Sequence, residues 1–149
     1  MTTESDQFLR GSLNHVRITV TDIPRATNFY DPLLAYLGYR QEKADEQRVA
    51  WSQPDGIGGW RKFIVSKASE ESRHKGHDRY APGLHHVGFN VASRAEVDEF
   101  HRLLLSRDVE VLDAPAFYDY QPGYYAVYFA DPDGIKLEVV HIPPIAAHS

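Results

Sequence analysis

The chain contains no cysteine, a single methionine and two tryptophans among 149 residues. Without cysteine it can form no disulfide, no thiolate nucleophile and no thiolate-bound zinc or iron–sulfur centre. Positive charge is also scarce: 16 Lys+Arg stand against 21 Asp+Glu, a net charge of -5. That argues against nucleic acid, whose phosphates ask for a basic face. No apolar run approaches the roughly 20 residues that span a bilayer. The polar stretch from Met1 to Ser12 has no apolar signal-peptide core. The expectation is a soluble, cytoplasmic protein that binds neither nucleic acid nor membrane.

What is present is a repeat. His15-Val-Arg-Ile-Thr-Val20 aligns with His86-Val-Gly-Phe-Asn-Val91, 71 residues later, and the same offset carries Phe29 onto Phe100, Leu33 onto Leu104 and Leu34 onto Leu105. Gln53-Pro-Asp-Gly56 is matched by Asp131-Pro-Asp-Gly134. Each copy opens with alternating apolar residues, Val16, Ile18 and Val20 or Val87, Phe89 and Val91, the period of a half-buried strand. A helix follows, with Ala26, Phe29, Tyr30, Leu33, Leu34 and Leu37 or Val97, Phe100, Leu104 and Leu105 on its apolar face. Asp22 and Ser93 occupy the N-cap positions, while Pro32 inside the first helix should kink it.

Shorter strands come next: 39–43, 48–52 and 62–66, then 109–112, 124–130 and 135–141, with the Pro-Asp-Gly elements as hairpin turns. The fold class is α+β: two βαβββ modules in tandem, making a mixed, mostly antiparallel, cup-shaped sheet. The first module runs from about 13 to 66, a linker from about 67 to 82, and the second module from about 83 to 142, all within one domain over 1–149.

Strand parity selects the side chains of the concave face. His15 and His86 lie opposite the apolar positions of their strands, whereas His85 shares the apolar parity and should point away. Ile135, Leu137 and Val139 are the apolar set of the last strand, which leaves Lys136, Glu138 and Val140 on the other face. Two imidazoles and a carboxylate suit a borderline divalent ion such as Fe, Mn, Ni, Co or Zn, with positions left open for substrate. Any one of them alone reads more simply: a strand histidine is usually a satisfied surface or core residue. An unpaired buried glutamate is costlier, so the coincidence of the three carries the argument.

Around them, Tyr124 and Tyr128 share the concave parity if Tyr125, Val127 and Phe129 pack against the helix, and either could donate a proton or a hydrogen bond to an oxyanion. Tyrosines also simply fill half-wet sheet faces. Arg17 and Asn90 could bind an anionic or carbonyl group, though Arg17 fits an outer edge equally well. His77, in the polar linker, could reach the mouth as acid or base, or lie in a solvated loop. Tyr120, in the aromatic segment from Phe117 to Gly123, could roof a substrate.

The segments His15-Val-Arg-Ile-Thr-Val, Phe29-Tyr30, His86-Val-Gly-Phe-Asn-Val and Asp131-Pro-Asp-Gly-Ile-Lys-Leu-Glu138 resemble the vicinal oxygen chelate superfamily over about 13–142. That group holds glyoxalase I, extradiol dioxygenases, fosfomycin-resistance transferases, methylmalonyl-CoA epimerase and bleomycin-binding proteins. The resemblance implies a cup that holds a divalent metal ion, a small-molecule substrate and a homodimer. It puts the metal ligands at His15, His86 and Glu138. The fourth ligand of the family's glyoxalases, a glutamate on the last strand of the first module, falls on Ile64, which departs from a true glyoxalase I and leaves Ile64 as a substrate contact. Two functions are implied: a metal-dependent lyase, isomerase or dioxygenase, or a metal-free drug-binding protein of the bleomycin-resistance type. The triad itself separates them, because a binder has no use for it.

Overall fold

A computed structural model describes residues 10–144. The polar N-terminal stretch up to residue 9 and the end of the chain from 145, including His148, lie outside the described residues. The chain divides into two compact units, Met1–Lys75 and Gly76–Ser149.

In the first unit, β1 (His15–Val20) is followed by α1 (Ile23–Tyr36), β2 (Arg40–Gln41), β3 (Arg48–Pro54) and β4 (Trp60–Lys67). The sheet order is β1-β4-β3-β2, with β1 parallel to β4 and the other pairs antiparallel. Asp22 caps α1 by accepting from the Arg25 N–H at 2.8 Å. The helix continues through Pro32, whose ring withdraws one N–H from the ladder without ending it. The apolar stripe of the helix holds it there: Ala26, Tyr30, Leu33 and Leu34 are all buried. Tyr30 packs its ring against Trp51 and Phe63, at centroid distances of 6.0 and 5.2 Å. The Trp51 indole N–H donates to Asp31 Oδ1 at 3.0 Å, so the buried ring keeps its hydrogen bond.

The second unit repeats the plan: β5 (His86–Asn90), α2 (Arg94–Ser106), β6 (Val111–Phe117), β7 (Tyr125–Ala130) and β8 (Lys136–His141). Its sheet order is β5-β8-β7-β6, with β5 parallel to β8. Ser93 caps α2 through the Glu96 N–H. Val97, Phe100 and Leu104 bury its inner face, with Phe100 against Phe129 at 5.3 Å. Two strands differ from the sequence expectation. β2 shortens to two residues, and β6 runs to Phe117 with two register shifts against β7. The shifts put irregular backbone around Pro115, which cannot donate to a ladder. Between Lys67 and His86 there is no helix or strand, as the lack of periodicity over 67–82 suggests.

The turn that aims β8 is built by its own first residue. Asp131 is buried, and its Oδ1 accepts from the N–H groups of Asp133 and Ile135, each at 2.9 Å, while its carbonyl accepts from Gly134. Gly134 has φ 81°, in the left-handed region where a residue without Cβ is unstrained. No helix among the described residues is long and apolar enough to cross a membrane.

Candidate functional site

Glu138 sits on a central strand of the second sheet, flanked by Gly88 on β5 and Tyr128 on β7. The face of β7 and β8 turned from α2 carries Ala126, Tyr128 and Val140, with Leu112, Tyr118, Tyr124 and Ile142 packed against them. Val127, Phe129, Leu137 and Val139 fill the opposite face, and Tyr125 reaches α2 with its hydroxyl 2.7 Å from Asp98. Tyr124, Tyr128 and Glu138 therefore share the face that strand parity selects. Only 3% of Glu138 is exposed, so its carboxylate needs partners.

It has them. His86 Nε2 lies 3.1 Å from Glu138 Oε1, and the Tyr124 hydroxyl donates to Oε2. In the parallel register the neighbour of His86 is Lys136, and Glu138 is two residues further along. The imidazole reaches the carboxylate diagonally, across Gly88, which has no side chain to block the path. A Cβ at position 88 would come within 3.2 Å of Glu138 Oε1. The sequence reading used His86 and Glu138 but passed over Gly88, although a glycine inside a strand is itself a sign of close approach.

The tyrosines hold their protons. Burial first, then the hydrogen bond to Glu138, push Tyr124 up to about 12. Tyr128, packed deeper, is raised by burial, then by its hydrogen bond with Tyr124 and the charge of Glu138. Tyr118 is raised by burial and then by Asp113. Its ring stands edge-on to Tyr128 at 5.4 Å and stacks on Tyr120 at 5.8 Å. Tyr120 is mostly exposed and also meets Tyr124 at 5.2 Å, so the aromatic segment joins the carboxylate cluster, with Tyr118 as a member that the sequence reading did not single out.

His85 corrects the parity argument. It precedes the first residue of β5, so strand alternation does not govern it. Its Nδ1 lies 2.7 Å from His86 Nδ1. Partial desolvation by its neighbours, and then the charges of His86, Lys136 and Arg79, lower His85 from the ordinary imidazole value. One proton lies between the two Nδ1 atoms, and when His85 carries it His86 is free to donate from Nε2 to Glu138 Oε1.

Of the remaining candidates, His15, Arg17 and Ile64 belong to the first unit, and Asn90 and His77 to the second. His15 is exposed on β1 of the first unit, with Nδ1 2.9 Å from Asn14 Oδ1. Arg17 donates from Nε to Ser66 Oγ at 2.7 Å and is the register partner of Ile64, the same relation that Gly88 has to Glu138. Asn90 is exposed at the end of β5. His77 lies in the loop before β5 with its Nε2 buried and without a hydrogen-bond partner among the described residues. No group of three or more His, Asp or Glu side chains is gathered for a metal among the described residues. The donor chemistry of His86 and Glu138, one imidazole nitrogen and one carboxylate, fits two positions of a divalent site.

The family model described as the Glyoxalase/Bleomycin resistance protein/Dioxygenase superfamily matches residues 12–139. An uncharacterised Bacillus subtilis protein, YqjT, is 26% identical over 133 residues, covering 86% of this chain and 97% of its own. A solved structure from Bacillus halodurans, assigned provisionally to the glyoxalases, is 28% identical with a TM-score of 0.74, covering 89% of this chain and 97% of its own. A glyoxalase/bleomycin resistance protein from Albidiferax ferrireducens T118 is 25% identical with a TM-score of 0.66, covering 88% of this chain and 98% of its own.

Proposed function

The chain belongs to the glyoxalase/bleomycin resistance protein/dioxygenase superfamily, and from that premise we propose that it is a divalent-metal-dependent enzyme acting on a small oxygen-bearing substrate. The observation that carries the reading is the pairing of a buried Glu138 with His86 at 3.1 Å across a glycine. A buried carboxylate with an imidazole beside it is costly to keep for packing alone. His86 and Glu138 supply two ligands, and His15 is the third in this reading. The ion would be Fe, Mn, Ni, Co or Zn, and when bound it polarises a substrate oxygen and stabilises developing negative charge there.

The chain's own residues supply the rest. Tyr124 donates a hydrogen bond from its hydroxyl to Glu138 Oε2 and fixes the carboxylate's orientation. Tyr128, directly opposite Glu138 in the sheet, presents a second neutral hydroxyl suited to donating to an oxyanion. Tyr120 and Tyr118 offer aromatic surface to an apolar part of the substrate. Arg17, Asn90 and Ile64 are the further substrate contacts of this reading, and His77 the candidate proton carrier. The protein works as a soluble cytoplasmic homodimer.

One observation favours a second reading, a metal-free small-molecule binder. Both oxygens of Glu138 already have protein partners, His86 and Tyr124, so the carboxylate is satisfied without an ion. Metal content measured by mass spectrometry on untagged protein separates the two. The enzyme reading expects about one divalent ion per chain, the occupancy of a single site, and its loss in Glu138→Ala and His86→Ala. Wild type that takes up no ion after reconstitution overturns that reading and leaves the binder.

A further inference from the structure

Beside the His86–Glu138 pair lies a row of rings that ends in a cation on each side. The guanidinium of Arg79 lies 5.3 Å from the Tyr80 ring centroid, and Tyr80 stands edge-on to His85 at 5.7 Å. His85 meets His86 at 4.9 Å, and His86 meets Tyr128 at 5.9 Å. At the far end Lys136 Nζ sits over the Tyr128 ring, 4.4 Å from its centroid. All six residues belong to the second unit. The ion pairs of the described residues include neither Arg79 nor Lys136.

The loop that carries Arg79 has a second peculiarity. Arg79 Nε is buried with no hydrogen-bond partner among the described residues, and so is His77 Nε2 two residues earlier. Buried donors are nearly always paired, and leaving one unmade costs more than the bond would gain. Arg79 Nε is a donor left without an acceptor, and neither Arg79 nor Lys136 has a carboxylate partner among the described residues, while the charges of both act on His85, which lies between them in the row. Aromatic faces hold the cations in position without neutralising them.

We propose that Arg79 and Lys136, with His85 between them in the row, form a subsite for an anionic oxygen group, a carboxylate or a phosphoryl group, of the small molecule this protein takes. The inference rests on the proposed function only in making that group part of the substrate; the anion site itself follows from the side chains of the second unit. The planar guanidinium fork suits the two oxygens of such a group, and the ammonium supplies a point charge. The substrate is then an organic anion whose charged end lies over the imidazole row, with its reacting oxygens toward Glu138.

The test is isothermal titration calorimetry of the full chain with inorganic phosphate and, separately, with succinate, at fixed low ionic strength. Metal content is measured on the same samples. Wild type should bind one or both probes; phosphate alone assigns a phosphoryl group and succinate alone a carboxylate. Arg79→Gln and Lys136→Gln should each weaken binding about tenfold, the loss of one charge-assisted contact. Lys136→Arg should retain binding and guards against a fold defect in Lys136→Gln. Lys43→Gln, on an exposed lysine of the first unit, should change nothing. The inference falls if neither probe binds, if Arg79→Gln and Lys136→Gln bind as wild type does, or if Lys43→Gln weakens binding equally. Anion binding that follows this pattern in protein that takes no metal upholds the subsite and overturns the metal reading. Metal uptake without anion binding does the reverse.

Discussion

Gly88 faces Glu138 across the parallel pair β5–β8, and a Cβ on Gly88 would stand 3.2 Å from the carboxylate oxygen that His86 approaches. The glycine and the glutamate are thus one feature: the absence of one side chain makes the position of the other possible. Gly88→Val should cost about 1–3 kcal/mol, the usual penalty for crowding a packed site. Glu138→Ala empties the space that the valine invades, so the double variant should be more stable than the sum of the two single changes implies. Urea denaturation of all four proteins measures the coupling. Costs that add within about 0.5 kcal/mol would mean that the two positions do not contend for the same space.

Tyr124 supplies a pH-dependent test. Burial and its bond to Glu138 push its hydroxyl up from 10.0 to about 12. The folded state therefore holds a proton that the unfolded chain releases earlier. The stabilisation is complete below pH 10 and is lost as pH rises toward 12. Tyr124→Phe should flatten the decline in stability over that window, read by urea midpoints at stepped pH. In a spectrophotometric titration of the native protein, the same variant should remove absorbance change only at the alkaline end. A loss of absorbance change centred at pH 10 would show that Tyr124 ionises as an ordinary surface tyrosine.

Much of the fold was readable because it rests on period and punctuation. The alternation in His15–Val20 and His86–Asn90, the caps Asp22 and Ser93, and the Asp-Pro-Asp-Gly turn are local signals, and the structure meets each one. Glu138 and Tyr128 were readable for the same reason, since parity along a regular strand fixes the face. His85 was not, because it lies just before the strand, where alternation has no hold. The extension of β6 was also hidden: Pro115 argues against a strand, and only the register shifts against β7 accommodate it. The unpartnered His77 Nε2 and Arg79 Nε depend on how a loop without periodicity folds back, which no local pattern records.

The contact between His85 and His86 predicts a tautomer. The two Nδ1 atoms are 2.7 Å apart, so one of them carries the proton between them. In metal-free protein, His86 should donate from Nε2 to Glu138 and accept at Nδ1 from His85. An ion on Nε2 would require the opposite tautomer, with His86 donating from Nδ1 to His85. Nitrogen-15 NMR of the imidazole rings reads both states directly. His85→Ala should leave the fold intact, since His85 is exposed, and, if the proposed metal centre forms, should weaken its affinity about 10- to 100-fold, the usual consequence of losing such a partner. An unchanged His86 spectrum in His85→Ala would show that the contact orients nothing.

The last prediction concerns the turn that delivers Glu138. Asp131 is buried and accepts two backbone N–H groups through one oxygen, from Asp133 and Ile135. Asp131→Ala orphans both donors at the start of β8 and should cost about 1–3 kcal/mol for each one left buried. Asp131→Asn keeps an acceptor oxygen in place and should recover most of that loss. Because Lys136 and Glu138 follow on the same strand, the alanine variant should also disturb the site while the asparagine variant does not. Thermal unfolding, paired with the Tyr124 titration in each variant, checks both parts. If Asp131→Ala unfolds earlier but Tyr124 still ionises near 12, the turn stabilises the unit without setting the position of Glu138.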